Sequence, residues 1–190
     1  MDRDLNPLDF MRSLQSVLLT HYQSSGITYL HSLFDSHPEI ISIPGTPNLD
    51  HLMDQEYYTL QEALDLFNKA NPKFFDTSKL SLLDMNSAGL YRLGENADEG
   101  FQLSKEKFEG YYKECLKDQL QVSVSDAILS LYYAYSRTRG EKLVDKKVVL
   151  LHPHDHFRAI KMSSFLPNVK CFITHREISA AYSSPKSHKK

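Results

Sequence analysis

The chain has little of what would tie it to an oxidising or membrane setting. Its 190 residues include two cysteines, Cys115 and Cys171, and no tryptophan. Two thiols are too few for a disulfide framework, so the fold has to rest on its own core. No apolar run approaches the ~20 residues that cross a bilayer. The opening MDRDLNPLDF is charged where a secretory leader would be apolar. An excess of one charge is also missing: 22 Lys and Arg against 24 Asp and Glu leave a net charge of −2. Without a basic field, neither nucleic acid nor an anionic membrane surface is the expected partner. These absences point to a cytoplasmic protein with no membrane span. At 41% hydrophobic and 24% charged the composition is globular, and the length suits one domain with a substantial core.

What is present is organised around Ser16 to Pro38. Val17 to Leu19 is a short apolar run that predicts a buried strand. Gln23-Ser24-Ser25-Gly26 follows, small and polar as a tight loop requires. From Ile27 the apolar residues Ile27, Leu30 and Phe34, flanked by Leu33, recur at helical spacing until His37-Pro38 stops them. A strand, a small-residue loop and a helix N-terminus together make an anion site. The first-turn N–H groups have no partners inside the helix, and the helix dipole favours negative charge there. Gly26 lets the backbone approach a phosphate closely, and Thr28 adds a hydroxyl. A nucleotide-triphosphatase P-loop is excluded, because G-x-x-x-x-G-K-[ST] needs glycine where His21 stands and lysine where Ile27 stands.

Around this stretch the chain alternates. Residues 1–15 are an amphipathic lead-in with Leu5, Leu8, Phe10 and Met11. Glu39 to Ile43 predicts a second strand, closed by Pro44-Gly45. Helices are expected over Tyr57–Ala70, ending at Asn71-Pro72, over Phe101–Leu120, and over Ser123–Arg137 with Ser125-Asp126 as cap. Gly89 to Gly100 reads as a loop. A buried strand over Val148–Leu151, a helix over Asp155–Phe165, a strand over Val169–Ile173 and a helix over Glu177–Ser183 follow. Strands alternating with helices imply an α/β fold, a parallel sheet flanked by helices, with ligands at the strands' carboxyl ends. Residues 45–140 then form a helical insert. Its aromatics Tyr57, Tyr58, Phe67, Phe74, Phe75, Tyr111 and Tyr112 either line an acceptor pocket or, as is commoner at helical spacing, build core.

Three segments carry a family resemblance. SGIT followed by LHSLFDSHPEI resembles the phosphosulfate-binding loop of the sulfotransferases, where Ser-Gly-Thr-Thr opens a helix ending in Asp-Ser-His-Pro. PNVKCFITHREISAAYSS, residues 167–184, is similar to that family's 3′-phosphate segment, in which a strand delivers an Arg and a Ser follows on the next helix. Arg176 and Ser184 keep the family's spacing. A guanidinium fork suits a phosphate dianion, and the hydroxyl adds a neutral donor. Between them, VVLLHPHDHF falls where the family carries Lys-Thr-His, with His154 on the catalytic histidine and His152 on the lysine. A neutral imidazole there takes the proton of an acceptor hydroxyl as it attacks sulfur.

The resemblance implies a three-layer, P-loop-like sulfotransferase fold in a single domain. It implies 3′-phosphoadenylyl sulfate as donor and adenosine 3′,5′-bisphosphate as product, with no metal and an unidentified hydroxyl or amine acceptor. It makes His154 and His152 catalytic. Ser24, Ser25, Gly26, Ile27, Thr28, Tyr29, Arg176 and Ser184 become the nucleotide-binding residues.

Departures from the family pattern set the expected rate. The family loop carries Lys or Arg just before Ser-Gly, to neutralise the bridging oxygen as the sulfonate leaves, and here that residue is Ser24. Ile27 replaces a threonine, and His152 in place of lysine removes another cation. The chain also stops soon after Ser184, before the family's glycine- and lysine-containing segment. Either the sequence is a fragment or the protein is a reduced relative, and the missing cations lead to the expectation of slow transfer. Two alternatives stand beside it. One is a nucleotide-binding or scaffold protein that kept the fold without turnover. The other is a metal-dependent hydrolase using His152, His154 and His156, since HPHDH resembles the H-x-H-x-D-H run of metallo-β-lactamase-like hydrolases, one residue short. His156 otherwise reads as capping a strand.

Overall fold

Every other strand of the main sheet takes its register from β1 (Gln15–His21), directly or through a neighbour. The computed structural model describes residues 6–21, 26–80, 96, 101–117, 119–153 and 155–175. β2 (Ile40–Ser42), β3 (Tyr57–Tyr58), β4 (Val122–Ser123), β5 (Val148–Leu151) and β6 (Val169–Thr174) follow in the chain. β1 pairs in parallel with β5, from Gln15↔Val148 to Leu18↔Leu151, and with β6, from Ser16↔Val169 to His21↔Thr174. β2 adds outside β5, giving the order β2-β5-β1-β6. The architecture is α/β, with a four-stranded parallel sheet flanked by helices.

Successive residues of a strand point to opposite faces. One face carries Leu18, Ile41, Val149 and Leu151 into the main core. That core is completed by buried residues of α1 (Pro7–Ser13), α3 (Leu60–Ala70), α4 (Lys105–Leu116), α5 (Val124–Thr138) and α6 (His156–Ser163). The other face carries Val17, Leu19, Ile40 and Leu150, which pack against Ile27, Leu30 and Phe34 of α2 (Ile27–Ser32) and the turn after it. The two crossovers explain this split. From β1 to β2 the chain moves one way along the sheet, and from β5 to β6 it moves the other. Crossovers of the same hand must then lie on opposite faces. Adjacent strands β1 and β5 therefore send their connections apart, which opens a crevice at their carboxyl ends.

Local chemistry sets the helix ends. Asn6 caps α1 ahead of Pro7, Thr59 and Glu62 form a capping box on α3, and Asp155 caps α6 by accepting from the Arg158 N–H. α5 buries residues 126–136 without a break, as a helix enclosed on all sides does. No helix among the described residues is long and apolar enough to cross a membrane.

Several boundaries differ from expectation. α2 ends at Ser32, a turn and a half before His37-Pro38, because the chain turns over residues 33–36 and Ser36 enters the left-handed region (φ 57°). Tyr57-Tyr58 is not helical. It pairs antiparallel with Val122-Ser123, and α3 starts only at its capping box. α4 begins at Lys105 behind a Ser104 cap, and Phe101 and Leu103 reach the core from extended chain. The cap of α5 is Ser123, whose Oγ accepts from the Asp126 N–H, while the Asp126 carboxylate is buried in a two-point pair with Arg12 at 2.9 Å. Tyr58, Phe67, Phe74 and Tyr112 are core residues, Phe75 and Tyr111 pack against them, and Tyr57 is exposed. The helices of residues 45–140 share one core with the sheet. Gly89–Gly100, apart from Asn96, and the Glu177–Ser183 helix lie outside the described residues.

Candidate functional site

At the carboxyl edge of the sheet, the α2 face changes from apolar to polar. The alternation that places Val17 and Leu19 on this face continues to His21, the last residue of β1. It continues from Leu150 to His152, just beyond β5, and from Ile40 to Ser42, the last residue of β2. On α2, His31 follows Ile27 by one turn, and both are buried. A floor of Leu19, Ile27, Ile40 and Leu150 is thus bordered by a polar layer of His21, His31, Ser42 and His152.

The layer is tightly joined. His31 Nε2 lies 2.7 Å from Ser42 Oγ, and His31 Nδ1 lies 3.1 Å from His152 Nδ1. The two imidazoles meet edge to face, with centroids 4.8 Å apart, and the ring of His21 stands 6.0 Å from that of His152. His31 and His152 are each 4% exposed. Burial lowers the pKa of His31 to about 4, so this ring is neutral at physiological pH. A neutral imidazole has one N–H and one lone pair. Across the Nδ1–Nδ1 contact, one ring therefore donates and the other accepts.

Lys146 fixes the strand that carries Ser42. Its buried Nζ donates to the carbonyls of His37 (3.0 Å) and Ile40 (2.7 Å) and pairs with Glu141 at 2.8 Å. This closes the turn after α2 onto the first residue of β2, and it compensates a charge that would otherwise be costly to bury.

Two pockets flank the histidine pair. The first is lined by Thr28, His31, Ser32, Asp35 and Ser42, with Pro44-Gly45 at its side. The second is lined by His152 and Pro153 with Leu49, Asp50, Arg158 and Met162. In the second, Arg158 is engaged with Asp50 at 2.8 Å and with Asp155 at 3.4 Å.

Of the residues expected from sequence, Gly26 sits at the N-cap of α2 with φ 78°, a conformation that a glycine adopts at no steric cost. Ile27 turns its side chain into the apolar floor. Thr28 lines the first pocket, whereas Tyr29 is 72% exposed. His152 joins His31 directly. His156 opens α6 beside the ring of Phe157 and caps no strand. Ser24, Ser25, His154, Arg176 and Ser184 lie outside the described residues. Among the described residues, no three His, Cys, Asp or Glu side chains are grouped to hold a metal. Sequence reasoning missed His21, His31 and Ser42. The available signal was the strand alternation past its apolar residues, together with the one-turn spacing from Ile27 to His31.

No family model, curated protein or solved structure matches the chain.

Proposed function

We propose that this protein binds 3′-phosphoadenylyl sulfate at the carboxyl edge of its parallel sheet, in a P-loop-like sulfotransferase fold, and transfers the sulfonate slowly to a hydroxyl or amine acceptor. The observation that carries the reading is that β5, β1 and β6 are neighbouring parallel strands. The three segments resembling the sulfotransferases follow the neighbouring strands β5, β1 and β6 at one edge of the sheet: His152 after β5, SGIT after β1, and Arg176 after β6 in the sequence. Open parallel sheets bind ligands at that edge, where neighbouring crossovers part to opposite faces.

In this reading the N–H groups of Gly26, Ile27 and Thr28, with the hydroxyls of Ser24, Ser25 and Thr28, receive the phosphosulfate. Arg176 and Ser184 take the 3′-phosphate. His154 accepts the proton of the acceptor, and His152 serves the leaving phosphate oxygen. The nucleotide itself supplies the activated sulfonate. Slow turnover follows from charge. Negative charge develops on the leaving oxygen, and Ser24 and His152 stand where the family has cations. His31, beside His152, is neutral. Loss of one such donor costs on the order of a hundredfold in rate.

Thermal shift tests the binding. Adenosine 3′,5′-bisphosphate should raise the melting temperature more than AMP does, and Arg176→Ala should abolish the difference. Equal shifts with both nucleotides would remove the 3′-phosphate site. Ser24→Lys should then raise sulfonate transfer about a hundredfold. A nucleotide-binding scaffold would show the thermal difference but yield no product even with that lysine.

A further inference from the structure

We propose that Ser42, His31 and His152 form a proton relay in which His31 is the positioning residue that fixes the tautomer of His152. The proposal rests on the sulfotransferase reading only for the oxygen that receives the proton. Its foundation is geometric: two short contacts, 2.7 Å and 3.1 Å, run in series through one imidazole, from a strand-end hydroxyl to a second imidazole. His31 has both ring nitrogens engaged, so whichever proton it holds dictates what each neighbour must do.

Two neutral arrangements satisfy both contacts. In the first, Ser42 Oγ–H donates to His31 Nε2, His31 Nδ1–H donates to His152 Nδ1, and His152 carries its proton on Nε2. In the second, His152 Nδ1–H donates to His31 Nδ1, His31 Nε2–H donates to Ser42 Oγ, and His152 Nε2 bears a lone pair. Passage from the first to the second releases one proton at His152 Nε2. The His31 Nδ1 proton moves to His152 Nδ1, the Ser42 proton moves to His31 Nε2, and a proton taken up from the solvent, as hydronium, restores the Ser42 hydroxyl and leaves a neutral water. One proton enters, one leaves, and every ring ends neutral. Ser42 borders the pocket shared with Thr28 and Asp35, which is the side from which water reaches it. His152 borders the second pocket together with Leu151 and Met162, and its Nε2 itself is buried.

The relay suits the chemistry missing from the loop. An oxygen that is losing a sulfonate gains negative charge, and a proton delivered from Nε2 offsets that charge where the family places a cation. The other titratable and charged groups nearby are His21 at the end of β1, Asp35 after α2, and the paired Asp50 and Arg158 across the second pocket. Burial keeps His31 neutral until about pH 4, so in the working range it passes a proton on and does not store one.

The test is nitrogen NMR of the full chain labelled with ¹⁵N-histidine, the His31 signals being assigned by their loss in His31→Gln. Ser42→Ala, a mild change, should shift the tautomer populations of both rings, including His152, which shares no hydrogen bond with Ser42. An unchanged His152 tautomer overturns the relay. In assays with 3′-phosphoadenylyl sulfate and a phenol, His31→Gln should lower kcat by roughly a hundredfold, leave KM for the nucleotide unchanged and flatten the pH–rate profile. An unchanged kcat and pH profile likewise overturn it. Failure of the underlying reading looks different: the wild-type chain would show no preference for adenosine 3′,5′-bisphosphate, while the ring coupling would still stand.

Discussion

On one face of the sheet, Leu18, Ile41, Val149 and Leu151 meet a core in which α5 alone buries residues 126–136 without a break. On the other, Leu19, Leu150 and Ile27 form a floor one layer deep, and polar groups begin at its edge. Three polar residues on the deep side are matched and inert. Asp126 is held by the Arg12 guanidinium, Tyr133 donates to Glu114, and the Cys115 thiol, contacted by the Ser130 hydroxyl, is pushed up to about 12 by burial. On the shallow side, buried imidazoles and a hydroxyl are bonded to one another beside the pocket at Thr28 and Asp35. The thick face stabilises the domain, and the thin face keeps exchangeable protons close to where a ligand of a parallel sheet sits.

The largest break in this contrast should come from the deep side. Phe108 is fully buried, stacked 5.5 Å from Phe67 and edge-on to Phe75 at 5.3 Å. Phe108→Ala should cost about 3–5 kcal/mol in denaturant unfolding and leave the preference between the two adenine nucleotides intact. Loss of that preference at unchanged stability would show that the faces are not separable.

A smaller effect, on the shallow side, is titratable. The folded pKa of His31, about 4, lies below its ordinary 6.5, so the unfolded chain takes up the extra proton first. The corresponding stability is whole above pH 6.5 and is lost as pH falls toward 4, by at most about 3 kcal/mol. Urea midpoints followed down that range should show the slope, and His31→Gln should flatten it. An unaltered slope would assign the titration to another group.

The smallest effect concerns the strand shared by both faces. The Ser16 hydroxyl points into the deep core, buried and with no hydrogen-bond partner among the described residues. Ser16→Ala should be neutral or stabilising by up to ~1 kcal/mol. A clear loss of melting temperature would mean that the hydroxyl is satisfied after all.

Much of the fold was legible because its signals are local. Val148–Leu151 is a continuous apolar run bounded by Lys147 and His152-Pro153, and β5 spans the same four residues. Asn71-Pro72 stopped α3 where proline must. β3 and β4 were not legible, since two-residue strands far apart in sequence have no periodicity to read, and so Tyr57 was assigned to a helix. The site divides the same way. His152 stood out through its motif, and Gly26 through its loop. His31 did not, because a histidine on the apolar stripe of a helix reads as an interruption until its partners on β2 and β5 are seen. His21 and Ser42 each terminate a strand whose apolar residues drew the eye.

Amide hydrogen exchange with and without adenosine 3′,5′-bisphosphate compares the two faces directly. Binding should slow exchange in the segments around Gly26–His31 and His152, at the carboxyl edge of β1 and β5, and leave α4 and α5 unchanged. Slowing confined to α3 and α4, with none around Gly26–His31, would contradict a nucleotide site on the α2 face.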